Sequence, residues 1–234
     1  MKKPTVLEQV TTPNGNTMAL VERDGDYVIR VDGRELMSTR HAFSEQQLGV
    51  VACQPLAKKA GARVLVGGLG LGMTLRAALD QLAGDAEVVV AELIPEVVTW
   101  NRNVAYPLSA RALSDPRTCV VICDVARVVK ESEARFDAIM LDADNQTTTM
   151  NTAGNSWLYE PAGLRAVHRA LTQRGTVVYW SPGEDPVLAK RLAAVGFTVE
   201  VQRVRKHPSA GGRHVLLVAH RNELGSDLRR PTQR

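Results

Sequence analysis

The sequence predicts an α/β protein, a doubly wound, mostly parallel seven-stranded sheet preceded by a small N-terminal antiparallel β domain. Three observations predict it. From residue 61 onward, short, nearly continuous apolar runs alternate with helical segments, the pattern of strands buried on both faces. Two apolar runs with no helix between them, Val199 to Val204 and His214 to Ala219, close the series. The first forty residues instead carry strand-length segments broken by Asn14-Gly15, Asp24-Gly25 and Asp32-Gly33, turn chemistry that favours antiparallel hairpins.

The composition agrees. The chain has 234 residues, 44% of them hydrophobic and 23% charged, which excludes disordered, collagen-like and low-complexity classes. The formal charge of +4 is weak support for nucleic-acid binding, and 4% aromatic residues is poor for stacking bases. No apolar run approaches the roughly 20 residues of a membrane span. No apolar signal segment follows the basic start Met1-Lys2-Lys3. The expected location is therefore cytoplasmic. Cys53, Cys119 and Cys123 are odd in number and set among apolar neighbours, so buried reduced thiols are expected and no metal.

In order, strands are expected at Val6–Val10, Met18–Arg23, Tyr27–Val31 and Glu35–Met37. Ser44-Glu45-Gln46-Gln47 fits a capping box opening a helix from about Glu45 to Ala60, disturbed near Pro55. Then follow strand Arg63–Val66, helix Met73–Leu82, strand Glu87–Ala91, a helix opened by Pro95, strand Cys119–Cys123 and a helix to about Val129. Strand Phe136–Leu141, a polar loop over 143–158, helix Pro161–Leu171, strand Thr176–Trp180 and helix Pro186–Val195 lead to the two closing strands. The expected division is 1–60 for the β meander and linking helix, 61–220 for an adenosine-binding α/β domain, and 221–234 for a flexible tail.

Gly67-Gly68-Leu69-Gly70-Leu71-Gly72 falls between the first parallel strand and its helix. Glycines there let a ligand approach the backbone at a helix N-terminus. Gly68, Gly70 and Gly72 are candidate cofactor contacts, although such a turn also suits a dinucleotide or no ligand at all. Glu92, 20 residues after Gly72, ends the next strand, where an acid accepts both ribose hydroxyls, with Leu93 beside it. Asp124 ends the third strand, placed to receive an adenine amino group, and the amide of Val125 faces a ring nitrogen. Each acid alone is equally a helix N-cap. Their joint order favours adenosine over a dinucleotide.

The order of five βα units and two closing strands is that of the class I S-adenosylmethionine-dependent transferase (methyltransferase-like, Rossmann-like) fold. Over about residues 15–200, Arg63-Val64-Leu65-Val66-Gly67-Gly68, Glu92-Leu93-Ile94-Pro95-Glu96-Val97-Val98, Cys123-Asp124-Val125-Ala126 and Phe136-Asp137-Ala138-Ile139-Met140-Leu141-Asp142 resemble segments of the spermidine/spermine synthase (aminopropyltransferase) family. The resemblance implies a transferase of polyamine biosynthesis whose donor is decarboxylated S-adenosylmethionine, without metal. It implies a small-molecule amine acceptor and a homodimer. Asp142 would be the catalytic carboxylate that takes the amine's proton, assisted by Asp144. Glu45 or Gln46 would line the pocket, Gln47 being used in the capping box. The family's turn carries an acid where this chain has Gly70, and its catalytic strand ends D-x-x-D-P where this chain reads Asp142-Ala143-Asp144-Asn145. The turn thus leaves the donor open between the decarboxylated and the intact form. The alternative activity is methyl transfer from S-adenosylmethionine to a small molecule. A catalytically silent scaffold would not need Glu92, Asp124 and Asp142 together. Arg203, Arg205, Lys206, His207 and Arg213 form a basic hairpin whose plain reading is a solvated edge, so neither nucleic acid nor membrane is an expected partner.

Overall fold

Turn chemistry shapes the first sheet. In the computed structural model, which describes residues 3–142, 156–207 and 211–222, β1 (Thr5–Thr11), β2 (Thr17–Arg23), β3 (Asp26–Val31) and β4 (Arg34–Ser38) form an antiparallel meander in that order. Asp24-Gly25 and Asp32-Gly33 turn with φ of 54° and 86°, and of 48° and 77°. Paired positive φ angles match the twist of adjoining strands, and Asp-Gly adopts them at small cost.

The helix after the meander differs from expectation. α1 runs Phe43–Cys53 and passes into a 3-10 turn at Gln54–Leu56, where Pro55 cannot continue the helix. Its N-cap is Ala42, with no side-chain cap. Ser44 therefore makes no capping box. It lies inside the helix, and its hydroxyl bonds Nδ1 of His214 at 2.9 Å. Tertiary packing outweighed a local cap worth about 1 kcal/mol.

The second sheet comprises β5 (Arg63–Gly67), β6 (Glu87–Glu92), β7 (Thr118–Ile122), β8 (Phe136–Asp142), β9 (Leu171–Ser181), β10 (Phe197–Arg205) and β11 (Arg213–Arg221), in the spatial order β10-β11-β9-β8-β5-β6-β7. β7 to β9 through the sheet centre are parallel, and β11 is antiparallel to both its neighbours. Helices α2 (Met73–Gln81), α3 (Pro95–Arg102), α4 (Ala110–Leu113), α5 (Val125–Lys130), α6 (Pro161–Ala170) and α7 (Pro186–Ala194) connect the strands. Among the described residues, none of the helices is long and apolar enough to cross a membrane.

Strand residues alternate between two cores. Val64, Val66, Val88, Val90 and Met140 join a cluster with α1–α3, whereas Leu65, Val89, Ile139, Leu141 and Tyr179 pack with α5–α7. Met18, Leu20, Ile29 and Val31 of the first sheet belong to the former cluster. The meander is therefore part of the main core and cannot swing freely. β7 is an edge strand, so Cys119 is exposed rather than buried, and Val121 and Ile122 also face solvent. Only Cys53 is fully buried, which pushes its thiol up to about 12.

At the end of the sheet opposite the carboxyl ends of the strands, the buried Asp137 accepts hydrogen bonds from Lys59 Nζ at 2.8 Å, the Arg63 amide at 3.0 Å and the Thr172 hydroxyl at 2.8 Å. Burial pushes its pKa up, but these donors outweigh it and hold the group below the ordinary value. Its stabilising contribution is thus complete above the unfolded-state pKa near 3.9 and fades as pH falls through the lower folded value. Asp137→Asn should cost about 1–3 kcal/mol at pH 7, and the deficit should shrink below about pH 4, as read by urea unfolding at both pH values.

Candidate active site

The order in which strands are added reverses at β5: β6 and β7 lie on one side of it, β8 and β9 on the other, all parallel. Such a switch point opens a crevice at the carboxyl ends of the strands. Gly67, ending β5, stands in register with Leu141, and Asp142, the last residue of β8, with Trp180 of β9. A cavity of about 190 Å³ fills the crevice. The first sheet roofs it with Met18, Ile29 and Met37, and the Thr12-Pro13-Asn14 turn closes one side. A smaller cavity of about 70 Å³ adjoins it between α1 and the glycine turn.

Gly68, Gly70, Glu92, Leu93, Asp124, Val125 and Asp142 all line the main cavity. The glycines do different work there. A Cβ on Gly68 would meet nothing within 4 Å, so this backbone is open to a ligand. A Cβ on Gly70 would lie 2.5 Å from Met37 Sδ, so the roof methionine fills the space an acid would need. Gly72, expected at the ligand, lies outside both cavity walls. It caps α2 at φ 73°, and a Cβ there would overlap the Ser109 hydroxyl at 1.7 Å. Asp144, expected to assist Asp142, lies outside the described residues, as do Asn145, most of the polar loop and residues 223–234 of the tail.

Glu92 sets the chemistry of the turn. Its carboxylate accepts from the Leu69 amide at 2.7 Å and the Ile94 amide at 2.8 Å, while the Gly68 amide bonds the Ala91 carbonyl. Burial pushes its pKa above the ordinary carboxylate value, and the amides of Ile94, Leu69, Leu93 and Gly70 offset only part of that rise. A dinucleotide pyrophosphate needs these turn amides and a positive field. Here the Leu69 amide goes to a carboxylate and the Gly68 amide to the Ala91 carbonyl, so the turn suits a neutral nucleoside better than a phosphate.

Asp124 follows β7 as the N-cap of α5, accepting from the Ala126 amide at 2.8 Å. Capping uses Oδ1, and Oδ2 makes no described hydrogen bond. The two readings of this acid, cap and ligand contact, are therefore compatible.

Several supporting residues were not legible in sequence. Asn101 donates to the carbonyls of Gly70 at 2.7 Å and Val97 at 2.9 Å, and the Ser109 hydroxyl bonds the Leu71 carbonyl at 2.9 Å. Both brace the turn from behind. Asn101 among the apolar residues of α3 was the only local hint. Met37 and Trp180 reach the cavity through tertiary packing alone, and the buried Trp180 Nε1 has no hydrogen-bond partner among the described residues. Of the pair Glu45 and Gln46, it is Glu45 that lines both cavities. Burial, then the charge of Asp142, raise its pKa well above the ordinary carboxylate value. No cluster of three or more His, Cys, Asp or Glu suited to a metal occurs among the described residues.

No protein-family model matches the chain. In sequence it is 30% identical over 115 residues to a polyamine aminopropyltransferase of Saccharolobus solfataricus, covering 49% of this chain and 37% of that protein. A Saccharolobus islandicus protein of the same name is 29% identical over the same length. The matched region thus spans little more than a third of these relatives. In structure, 93% of the chain superposes on 73% of spermidine synthase from Thermotoga maritima, with a TM-score of 0.72 and 22% identity. A spermidine synthase in complex with the transition state analogue AdoDATO gives 0.71 and 21%. The chain therefore has the spermidine synthase-like form of the class I S-adenosylmethionine-dependent transferase fold.

Proposed function

We propose that the chain transfers an aminopropyl group from decarboxylated S-adenosylmethionine to a small amine. One observation carries this reading. The ionisable side chains lining the main cavity are Glu45, Glu92, Asp124, Asp142, Cys123 and Tyr159, with no Lys, Arg or His among the described lining residues, although the chain as a whole is basic. An acidic, otherwise apolar cavity favours a cationic ligand and opposes an anionic one. The fold similarity and the names of the sequence relatives support the same reading.

In this reading Glu92 keeps two lone-pair positions for the ribose hydroxyls, and Asp124 Oδ2 accepts from the adenine amino group. Gly68 permits close approach of the nucleoside, and Val97 and Leu158 supply apolar contact. The donor supplies an electrophilic carbon beside a positive sulfur. An amine nitrogen attacks that carbon, the carbon–sulfur bond breaks with its electron pair left on sulfur, and a neutral thioether nucleoside departs. Asp142 holds the acceptor nitrogen at the end of β8 and receives the proton the nitrogen loses. The roof from β2–β4 excludes water and holds the reactants in line. Methyl transfer from intact S-adenosylmethionine would bring a carboxylate into this acidic cavity, so it is the second reading. We also propose that the protein is a homodimer and acts in the cytoplasm.

Incubation with decarboxylated S-adenosylmethionine and a polyamine panel should release 5′-methylthioadenosine. Formation of S-adenosylhomocysteine from intact S-adenosylmethionine would instead establish the methyltransferase. Asp142→Asn should lower turnover by about 10²-fold or more while leaving nucleoside affinity little changed. Full turnover in the variant would remove Asp142 from the mechanism. Glu92→Gln should weaken methylthioadenosine binding by about 1.5–3 kcal/mol in calorimetry, the range for hydrogen bonds to a charged group.

A further inference from the structure

We propose that Glu45 is a specificity-determining residue: with Asp142 it forms a carboxylate pair between α1 and the glycine turn that takes a primary alkylammonium. The proposal rests on the transferase reading above and adds which part of the chain reads the donor's side chain.

The geometry begins with α1. Gly49 lets the helix lie hard against α2, since a Cβ there would sit 2.6 Å from the Thr74 carbonyl and 2.8 Å from Ala77 Cβ. One turn earlier the Thr74 hydroxyl bonds the Glu45 carbonyl at 3.1 Å. The start of α1 is thereby pinned to the helix that the glycine turn opens. Glu45 projects from this anchored point into both cavities, where Asp142 also stands. The remainder of the smaller cavity is backbone and apolar side chain, with Thr74 its only other polar side chain.

The Glu45 side chain is half-buried between the two cavities, and among the described residues it accepts no hydrogen bond and meets no cation. A carboxylate partly withdrawn from water is favoured when a proton or a cation neutralises it. Burial, then the Asp142 charge, favour keeping a proton on Glu45. Among the described residues, few titratable groups face Glu45. Asp142 lies on β8. His214 of β11 lies beyond Ser44, and burial with nearby Lys206 pushes it down to about 4, leaving it neutral. α2 presents Thr74, β4 presents Met37 and β9 presents Trp180, none of which titrates at neutral pH.

An ammonium replaces that proton in this arrangement. It supplies three donors to the site and the positive charge that Glu45 does not meet among the described residues. A side chain that also bore a carboxylate would find no basic partner among the described lining residues and two like charges. Gly70 contributes space but no acid, and Met37 occupies that space, so the counter-charge comes from α1.

Calorimetry at pH 7 in two buffers of different ionisation enthalpy tests this with 5′-methylthioadenosine, decarboxylated S-adenosylmethionine, S-adenosylmethionine and 1,3-diaminopropane. Wild-type protein should release a proton on binding either amine-bearing probe that lacks a carboxylate, and none on binding methylthioadenosine. In Glu45→Gln that proton release should vanish, and affinity for the decarboxylated compound should fall about tenfold or more, with methylthioadenosine affinity held within about twofold. Preference over S-adenosylmethionine should narrow. An unchanged affinity ratio in the variant, or no proton release by wild type, would overturn the assignment. The wild-type release needs no variant to fold. Failure of methylthioadenosine to bind, with diaminopropane still bound through Glu45, would sink the nucleoside reading and keep the carboxylate pair. Failure of every probe would sink both.

Discussion

The site depends on one arrangement, the Glu92 carboxylate clasped by the amides of Leu69 and Ile94. It ties the turn after β5 to the end of β6 and fixes the backbone that a ligand must meet. It also reverses the electrostatic sense of a helix-opening glycine turn. The exposed amides of such a turn attract anions. Amides already bonded to a carboxylate present a neutral to negative surface. Asn101 and Ser109 complete the arrangement from behind by holding the carbonyls of Gly70 and Leu71.

The meander contributes the second constraint. Its apolar residues share a core with α1–α3, so it sits as a fixed roof rather than a tethered module. Met37 and Met18 close the cavity with flexible thioether side chains that adapt to a ligand's shape. α1, locked to α2 at Gly49 and Thr74, links the roof to the parallel sheet and carries Glu45 to Asp142. The acids of the cavity thus come from four places far apart in sequence: α1, β6, the end of β7 and β8.

Much of the strand and helix order was legible because parallel strands buried on both faces are continuously apolar, as in Val64-Leu65-Val66 and Val88-Val89-Val90. Features set by position in the sheet were not. Cys119 has the same apolar neighbours as a core residue, yet β7 proved to be an edge. Ser44 satisfied the capping pattern, yet a hydrogen bond to His214, 170 residues distant, claimed its hydroxyl. Gly72 was picked out by spacing as a ligand contact, and the packing of Ser109 against its missing Cβ left no trace in the sequence.

By itself the sequence determined the two sheets, the glycine turn, and the acids Glu92, Asp124 and Asp142 at successive strand ends, because local periodicity and βα order dictate them. Only the tertiary structure decided that Met37 fills the space above Gly70 and that Glu45 faces Asp142. Those contacts arise from the crossing of α1 over α2 and the seating of the meander on the shared core. Packing between segments distant along the chain leaves no periodic trace in the sequence, and it is this packing that places the second carboxylate in the site.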